Sequence, residues 1–196
     1  MDTGIIILAA GNSSRLGKPK QLLTYQDKTL LTIVSEAALK TSFHPIVVVL
    51  GAYASEVSKA HQGLKIQYVI NDEWETGMSS SISTGLTALL DTKKDIENVI
   101  IAVADQVFIT ARIFEKLAEN HQLTGKGIVA STYGETTGTP VLFNKIYFDQ
   151  LLNLQGSTGA KKIVTENASD TAKVPFEKGL IDIDTAADYN NLIQNQ

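Results

Sequence analysis

Arg15, Lys18 and Lys20 fall close together in the stretch LAAGNSSRLGKPKQ, residues 8–21, with Gly11, Gly17 and the hydroxyl or amide side chains of Asn12, Ser13 and Ser14. Such a mixture can grip phosphate. Glycine lets backbone N–H groups approach an anion closely, and a cation about 4 Å from an anionic oxygen gains on the order of 4 kcal/mol at an effective dielectric near 20. Two familiar phosphate loops are excluded by counting. Five residues separate Gly11 from Gly17, where a Walker loop has four, and Lys18 is followed by Pro19 instead of Ser or Thr. No G-x-G-x-x-G follows the first apolar run, so the dinucleotide fingerprint fails as well. A solvated, glycine-bearing surface connection has the same composition, and the segment alone leaves both readings open.

Two carboxylate stations could complete such a site. Asp105 directly follows the apolar run VIIAVA, and Asp182 and Asp184 alternate with isoleucines in LIDIDTAADY. A carboxylate at that strand end could face the crevice, or act as an acceptor that tidies the loop entering the helix near Thr110, and both readings stay open. Strand alternation would send Asp182 and Asp184 to the same side. Thr185 and Asp188 also have the spacing of a capping box, which is compatible with Asp184 facing a metal. A third station is the serine run in NDEWETGMSSSISTGL, residues 71–86, at the start of a helix whose apolar positions include Ile82, Leu86 and Leu89. Helix N-termini attract anions, yet serines there also cap free N–H groups. His44, His61 and His121 are isolated and read as surface or satisfied structural residues, and Trp74 as a packing or stacking aromatic.

These residues must be held by something. Apolar, Ile- and Val-rich runs at residues 5–9, 46–50, 66–70, 99–104 and 128–131 read as buried strands. Helical spacing occupies residues 30–39, 54–61, 80–90 and 113–121 between them. Continuous apolar strands alternating with helices imply a mostly parallel sheet covered on both faces: an α/β, Rossmann-like three-layer sandwich forming one domain over residues 1–196. After residue 132 the rhythm changes. A Gly/Thr-rich segment, 134–140, runs into 141–143 as a strand return or flap, followed by helices at 145–154 and 186–194. Ligands of such sheets sit beyond the carboxyl ends of the strands, just past Ala9, Ile70 and Ala104.

Composition bounds the partners. With 17 basic and 21 acidic side chains the formal charge is -4, which gives no global field for nucleic acid or an anionic membrane. No cysteine is present, which excludes disulfides, thiolate metal sites and a cysteine nucleophile and suits a reducing, cytoplasmic setting. The start MDTGIIILAAG lacks the positive charge of a signal peptide and is too short an apolar run to span a bilayer.

The pattern AAG-x-S-S-R-hydrophobic-G-x-P-K-Q-L-L closely resembles the signature loop of the MobA-like nucleotidyltransferases, in particular the molybdenum cofactor cytidylyltransferase group. That resemblance implies a nucleotide-diphospho-sugar-transferase-like fold and a magnesium-dependent enzyme. It assigns Arg15 and Lys20, with the loop backbone, to the triphosphate, counts Ser13 and Ser14 as nucleotide-binding, and places Leu8, Ala9, Ala10 and Gly11 against the base, Ala10 favouring cytosine over guanine. Asn71, Gly77, Ser80 and Ser81 are carried over as nucleotide-binding, and Asp105, with Asp184 or Asp182, as metal-binding. Thr139 and Pro140, in the element TTGTPVLF, and Lys161 fall on the acceptor side. The chain departs from the family pattern at Val107 and Ala186, where proline is usual, at Ala187 for glutamate, and at Ser157 for aspartate. The implied reaction transfers CMP from CTP to the phosphate of molybdopterin, with a molybdoenzyme as client. Methylerythritol phosphate or a sugar phosphate is the alternative acceptor, and a non-catalytic cofactor carrier the alternative class. Ser13 and Ser14 before Arg15, where the methylerythritol phosphate enzymes have G-x-G-x-R, favour molybdopterin.

Overall fold

The run TGIIILA forms β1 (Thr3–Ala9), buried at every position, as a strand covered on both faces requires. A computed structural model describes residues 2–61, 63–157 and 159–194. Following β1 come the short hairpin β2 (Thr24–Tyr25) and β3 (Lys28–Thr29), then α1 (Leu30–Leu39), β4 (Ile46–Leu50), α2 (Ala54–Ala60) and β5 (Gln67–Ile70). Next are α3 (Met78–Thr92), β6 (Asn98–Val103), α4 (Ala111–Thr124), β7 (Ile128–Tyr133) and β8 (Thr136–Asn144). The chain continues through α5 (Phe148–Leu152), α6 (Lys161–Glu166), β9 (Thr171–Pro175) and α7 (Ala186–Gln194).

Seven strands make one sheet in the order β5-β4-β1-β6-β8-β7-β9. β1 pairs in parallel with both β4 and β6, and β8 alone runs antiparallel to its neighbours β6 and β7. The expected α/β three-layer sandwich is therefore present. Alternation along β1 builds its two cores. Ile5, Ile7 and Ala9 pack with Leu31 and Val34 of α1 and Phe114 and Leu117 of α4. Ile6 and Leu8 pack with Ile82, Leu86 and Leu89 of α3, Leu151 of α5 and Ile163 of α6. α3 lies close on the sheet because Gly85 faces it: a Cβ there would stand 2.7 Å from Ile6 Cγ2 and 2.8 Å from Val49 Cγ2.

Several local expectations change. The expected helix over 145–154 divides into a 3-10 turn, Lys145–Tyr147, and the five-residue α5, because the Asn144 side chain accepts from Ile146 N and tightens the entry. Segment 180–184 is not a strand. A 3-10 turn, Glu177–Leu180, leads into irregular chain, where Ile183 is drawn into a small core with Leu23, Leu30, Val107 and Leu192 while Ile181 stays 43% exposed. β9 was not anticipated, since TAKVP carries Lys173 and Pro175 and no apolar run; it forms as an edge strand, where proline is tolerated. His61 and His121 are buried and hydrogen-bonded, His61 to Val57 O and Thr29 Oγ1 and His121 to Lys126 O, as structural residues. Among the described residues no helix is long and apolar enough to cross a membrane.

Candidate active site

β1 has β4 on one side and β6 on the other, and the chain changes direction across the sheet between them. A crevice opens beyond the carboxyl ends of two such strands. A cleft of about 570 Å³ lies there. Leu8, Ala9, Ala10 and Gly11 line it as β1 ends, with Lys20 beside them.

The loop after β1 is folded back by Ser13. Its backbone is left-handed (φ 49°), its carbonyl accepts from Leu16 N (2.8 Å) and Gly17 N (3.2 Å), and its hydroxyl accepts from Lys20 N (3.1 Å). Gln21 completes the fold-back: Nε2 donates to Ala9 O (2.7 Å) and Gly11 O (3.1 Å). Ser13, Ser14 and Arg15 are not among the cleft-lining residues, whereas Lys20 is.

Expected cations and expected acids meet. Lys20 Nζ donates to Asp105 Oδ2 (2.5 Å) and Asp184 Oδ1 (3.0 Å), and Arg15 donates to Asp184 Oδ2 (2.7 Å). Asp105 is buried at 6% exposure, and its side chain serves Lys20 instead of the loop entering α4. Burial opposes the charge on Lys20, but Asp105 and then Asp184 outweigh it and raise its pKa. Burial likewise pushes Asp184 up, and the hydrogen bond and charge of Lys20, with Arg15, overcome this and hold it low. Asp182 lines the same cleft with no ion pair among the described residues. Burial, then the charges of Asp105 and Asp184, push it up to about 6. The capping box forms as expected: Thr185 Oγ1 accepts from Asp188 N, and Asp188 Oδ2 accepts from Thr185 N and Asp184 N, which fixes the backbone carrying Asp184.

The serine station is built differently from a cap. Gly77 precedes α3 with φ 119°, where a Cβ would stand 2.7 Å from Gly156 O, so the tight turn requires glycine. Ser80 Oγ donates to carbonyls, Gly77 O and Glu73 O, instead of accepting from helix N–H groups. Asn71 Nδ2 donates to the hydroxyl oxygens of both Ser80 and Ser81 at 2.9 Å. Ser81 lines the cleft, and among the described residues no acceptor takes its hydroxyl proton. Asn71 and Ser80 lie behind it, while Gly77 and Trp74 also line the cleft, Trp74 packing on the α3-side core too.

On the opposite wall, Thr139 lines the cleft and Pro140 is buried behind it, its carbonyl accepting from Ser131 Oγ. Lys161 is exposed at the first position of α6 and is not among the lining residues. The QGSTGAKK segment lies over the start of α3; its Thr158 falls outside the described residues. Three residues at the site were not singled out from sequence. Gln21 and Gln106 are each 2% exposed with an unpartnered Oε1, and Tyr133 lines the cleft. Adjacency to Lys20 and Asp105 was the available signal for the two glutamines; Tyr133 had none.

Among the described residues no group of three or more acidic or histidine side chains forms a metal cage. Asp105 and Asp184 nevertheless meet on one cation, the Lys20 ammonium. Since magnesium needs one or two carboxylates when phosphate oxygens and water supply the rest, this donor pair fits an ion that arrives with a triphosphate.

Similarity to known proteins agrees with this geometry. Nicotine blue oxidoreductase of Paenarthrobacter nicotinovorans is 34% identical over 118 residues, 60% of this chain but only 56% of that relative's length. The molybdenum cofactor cytidylyltransferase of Escherichia coli K12 is 23% identical over 185 residues, covering 94% of this chain and 92% of that one. The crystal structure of the Rv0371c homolog from Mycobacterium sp. strain JC1 superposes with a TM-score of 0.87 at 29% identity, over 98% of this chain and 96% of that one. The MobA-like NTP transferase domain matches residues 5–172, which takes in the β1 loop, the serine station and Asp105. With the fold, the crevice at the switch in strand order and this match in agreement, the chain belongs to the MobA-like NTP transferase family.

Proposed function

We propose that this nucleotidyltransferase-family protein transfers CMP from CTP to the terminal phosphate of molybdopterin, or of its molybdenum-loaded form, and releases pyrophosphate. The carrying observation is the convergence of Lys20, Asp105 and Asp184 beyond the ends of β1 and β6. In the reaction an oxygen of the acceptor phosphate forms a bond to the α-phosphorus, and the bond to the oxygen bridging the α and β phosphorus atoms breaks, its electrons leaving with pyrophosphate. No covalent enzyme intermediate is needed.

Arg15 and Lys20 bind the β and γ phosphates, leaving their acidic partners as the nucleotide enters. Asp105, with Asp184 or Asp182, would hold magnesium, which would neutralise phosphate charge when bound. The Ser81 hydroxyl, with its oxygen held by Asn71, offers its proton to the base or ribose. Leu8 to Gly11 set the base, with Ala10 favouring cytosine. Thr139 and Pro140 shape the acceptor wall, with Lys161 as a more distant cation. Catalysis is by positioning and electrostatics. The setting is the cytoplasm, and the product passes to a client molybdoenzyme.

Near end-to-end similarity to a cytidylyltransferase supports this reading over redox chemistry, for which the similar region is shorter. Purified protein with magnesium and CTP should release pyrophosphate with molybdopterin and much less with methylerythritol phosphate or a sugar phosphate. Preference for one of the latter transfers the reading to that acceptor. Tight cofactor binding without pyrophosphate release identifies a carrier instead.

A further inference from the structure

Gln106 occupies a break in the sheet. β6 continues to Val103 against β1, but its ladder with β8 ends at the pair Ile101 and Val141. Beyond that pair β8 follows β7 through a register shift, so Thr139 has left β6 and the cleft opens in the gap. Across this gap the buried Gln106 amide reaches: Nε2 donates to Thr139 O (2.9 Å) and to Gly179 O (3.3 Å). Thr139 belongs to one wall. Gly179 belongs to the 3-10 turn that precedes Asp182 and Asp184, and it is packed against Phe176 and Tyr133. Gln106 itself directly follows Asp105.

Both donor positions of the amide are thus spent on two separate chain segments, while Oε1 is buried without a partner. Leaving a buried acceptor unpaired is costly, and a methionine of similar length would avoid that cost. Methionine could not bridge the two carbonyls. The amide therefore does something that packing alone would not require.

We propose that Gln106 is a positioning residue that holds the Thr139 wall and the Asp182–Asp184 segment at a set distance from Asp105. The inference deepens the transfer reading and rests on it for the roles of the two walls. It predicts that the backbones of β1 and β4 are indifferent to Gln106, whereas the Thr139 wall and the second acidic station depend on it.

Gln106→Met keeps the length of the side chain and removes both donors. Amide hydrogen exchange on the unliganded variant should rise about fivefold or more in residues 136–139 and 177–184 and stay unchanged in β1 and β4. In turnover the acceptor KM should rise about fivefold and kcat fall about tenfold. Unchanged exchange in both segments overturns the proposal, and so does an acceptor KM equal to that of the parent. Should the methionine variant fail to fold, Gln106→Asn, which keeps the amide but is one methylene short, must show the same localised exchange. The exchange measurement needs no substrate and decides the proposal by itself. Absence of wild-type turnover with every phosphorylated acceptor would sink the transfer reading alone.

Discussion

Lys20 Nζ lies 2.5 Å from Asp105 Oδ2 and 3.0 Å from Asp184 Oδ1, so one ammonium occupies the position between the two carboxylates that would hold a metal. The unliganded site is neutralised from within. Under the proposed function a divalent ion entering alone would have to compete with this cation, whereas a triphosphate would draw Lys20 away and leave the carboxylates to the metal. Manganese binding, followed by its paramagnetic resonance signal, should therefore be weak without nucleotide and strengthen with CTP. Lys20→Gln should raise affinity for the free ion by roughly tenfold, about 1.4 kcal/mol, while weakening CTP binding. Equal manganese affinity in parent and variant would show that the ammonium does not compete.

Asp105→Asn keeps the shape of the side chain and removes its charge. Turnover should drop by about 10²–10³, the scale seen when one preorganised electrostatic partner is lost. Lys20 keeps Asp184, so the stability loss should stay below the roughly 3–5 kcal/mol of an orphaned buried charge. Pyrophosphate release and urea unfolding measure the two effects, and retained turnover would remove Asp105 from the metal site.

Ser81→Ala removes a proton with no acceptor among the described residues and leaves Asn71 its second partner, Ser80. The expected cost is about 0.5–1.5 kcal/mol in CTP binding. Competition between CTP and GTP should still favour CTP, since Ala10 is untouched. A preference for GTP in the parent protein would refute the base assignment.

At Gly85 the close contact between α3 and the sheet leaves no room for a methyl group. Gly85→Ala should destabilise the protein by about 1–3 kcal/mol through overpacking, despite the better helix propensity of alanine. Chemical denaturation tests the sign: a stabilised variant would mean that α3 shifts freely on β1 and β4.

Tyr147 and Asp170 give a pH-dependent element away from the cleft. The Tyr147 hydroxyl donates to Asp170 Oδ2 (2.7 Å), and Gly127 N donates to Oδ1 (3.1 Å). Chiefly through Tyr147, these bonds hold the Asp170 pKa below its ordinary value despite burial. A depressed carboxylate contributes stability above its unfolded pKa, about 3.9, and loses it as pH falls through the folded value. Tyr147→Phe should thus cost about 1 kcal/mol at neutral pH, and the difference should shrink as the medium becomes strongly acidic. Tyr147 is itself raised to about 12 by burial, then by Asp170. The folded chain keeps a proton that the unfolded chain releases near about pH 10, so stability should fall as pH rises from there towards 12. A constant difference between parent and variant from neutral to acid pH would remove the pair from acid stability.

Composition and local order determined much of this protein. Buried runs of Ile and Val, separated by helical spacing, specify strands and crossovers because each element must hide an apolar face. The glycine-bearing loop with Arg15 and Lys20, the carboxylate after β6 and the Thr185–Asp188 box were all legible, since each depends on neighbours in sequence. What only the tertiary structure decided is how distant segments meet. Asp184 reaches Lys20 across 164 positions of chain, carried there by Ile183 entering a small core and not by a strand. β9 forms because an edge was open to it, Ser80 and Ser81 accept from Asn71 and Ser80 donates to nearby carbonyls instead of capping α3, and Lys161 remains outside the cleft that its sequence neighbourhood suggested. Gln106 shows the difference most directly. Its position beside Asp105 is written in the chain, but its two acceptors, at Thr139 and Gly179, exist as partners only because β8 departs from β6 at the mouth of the cleft.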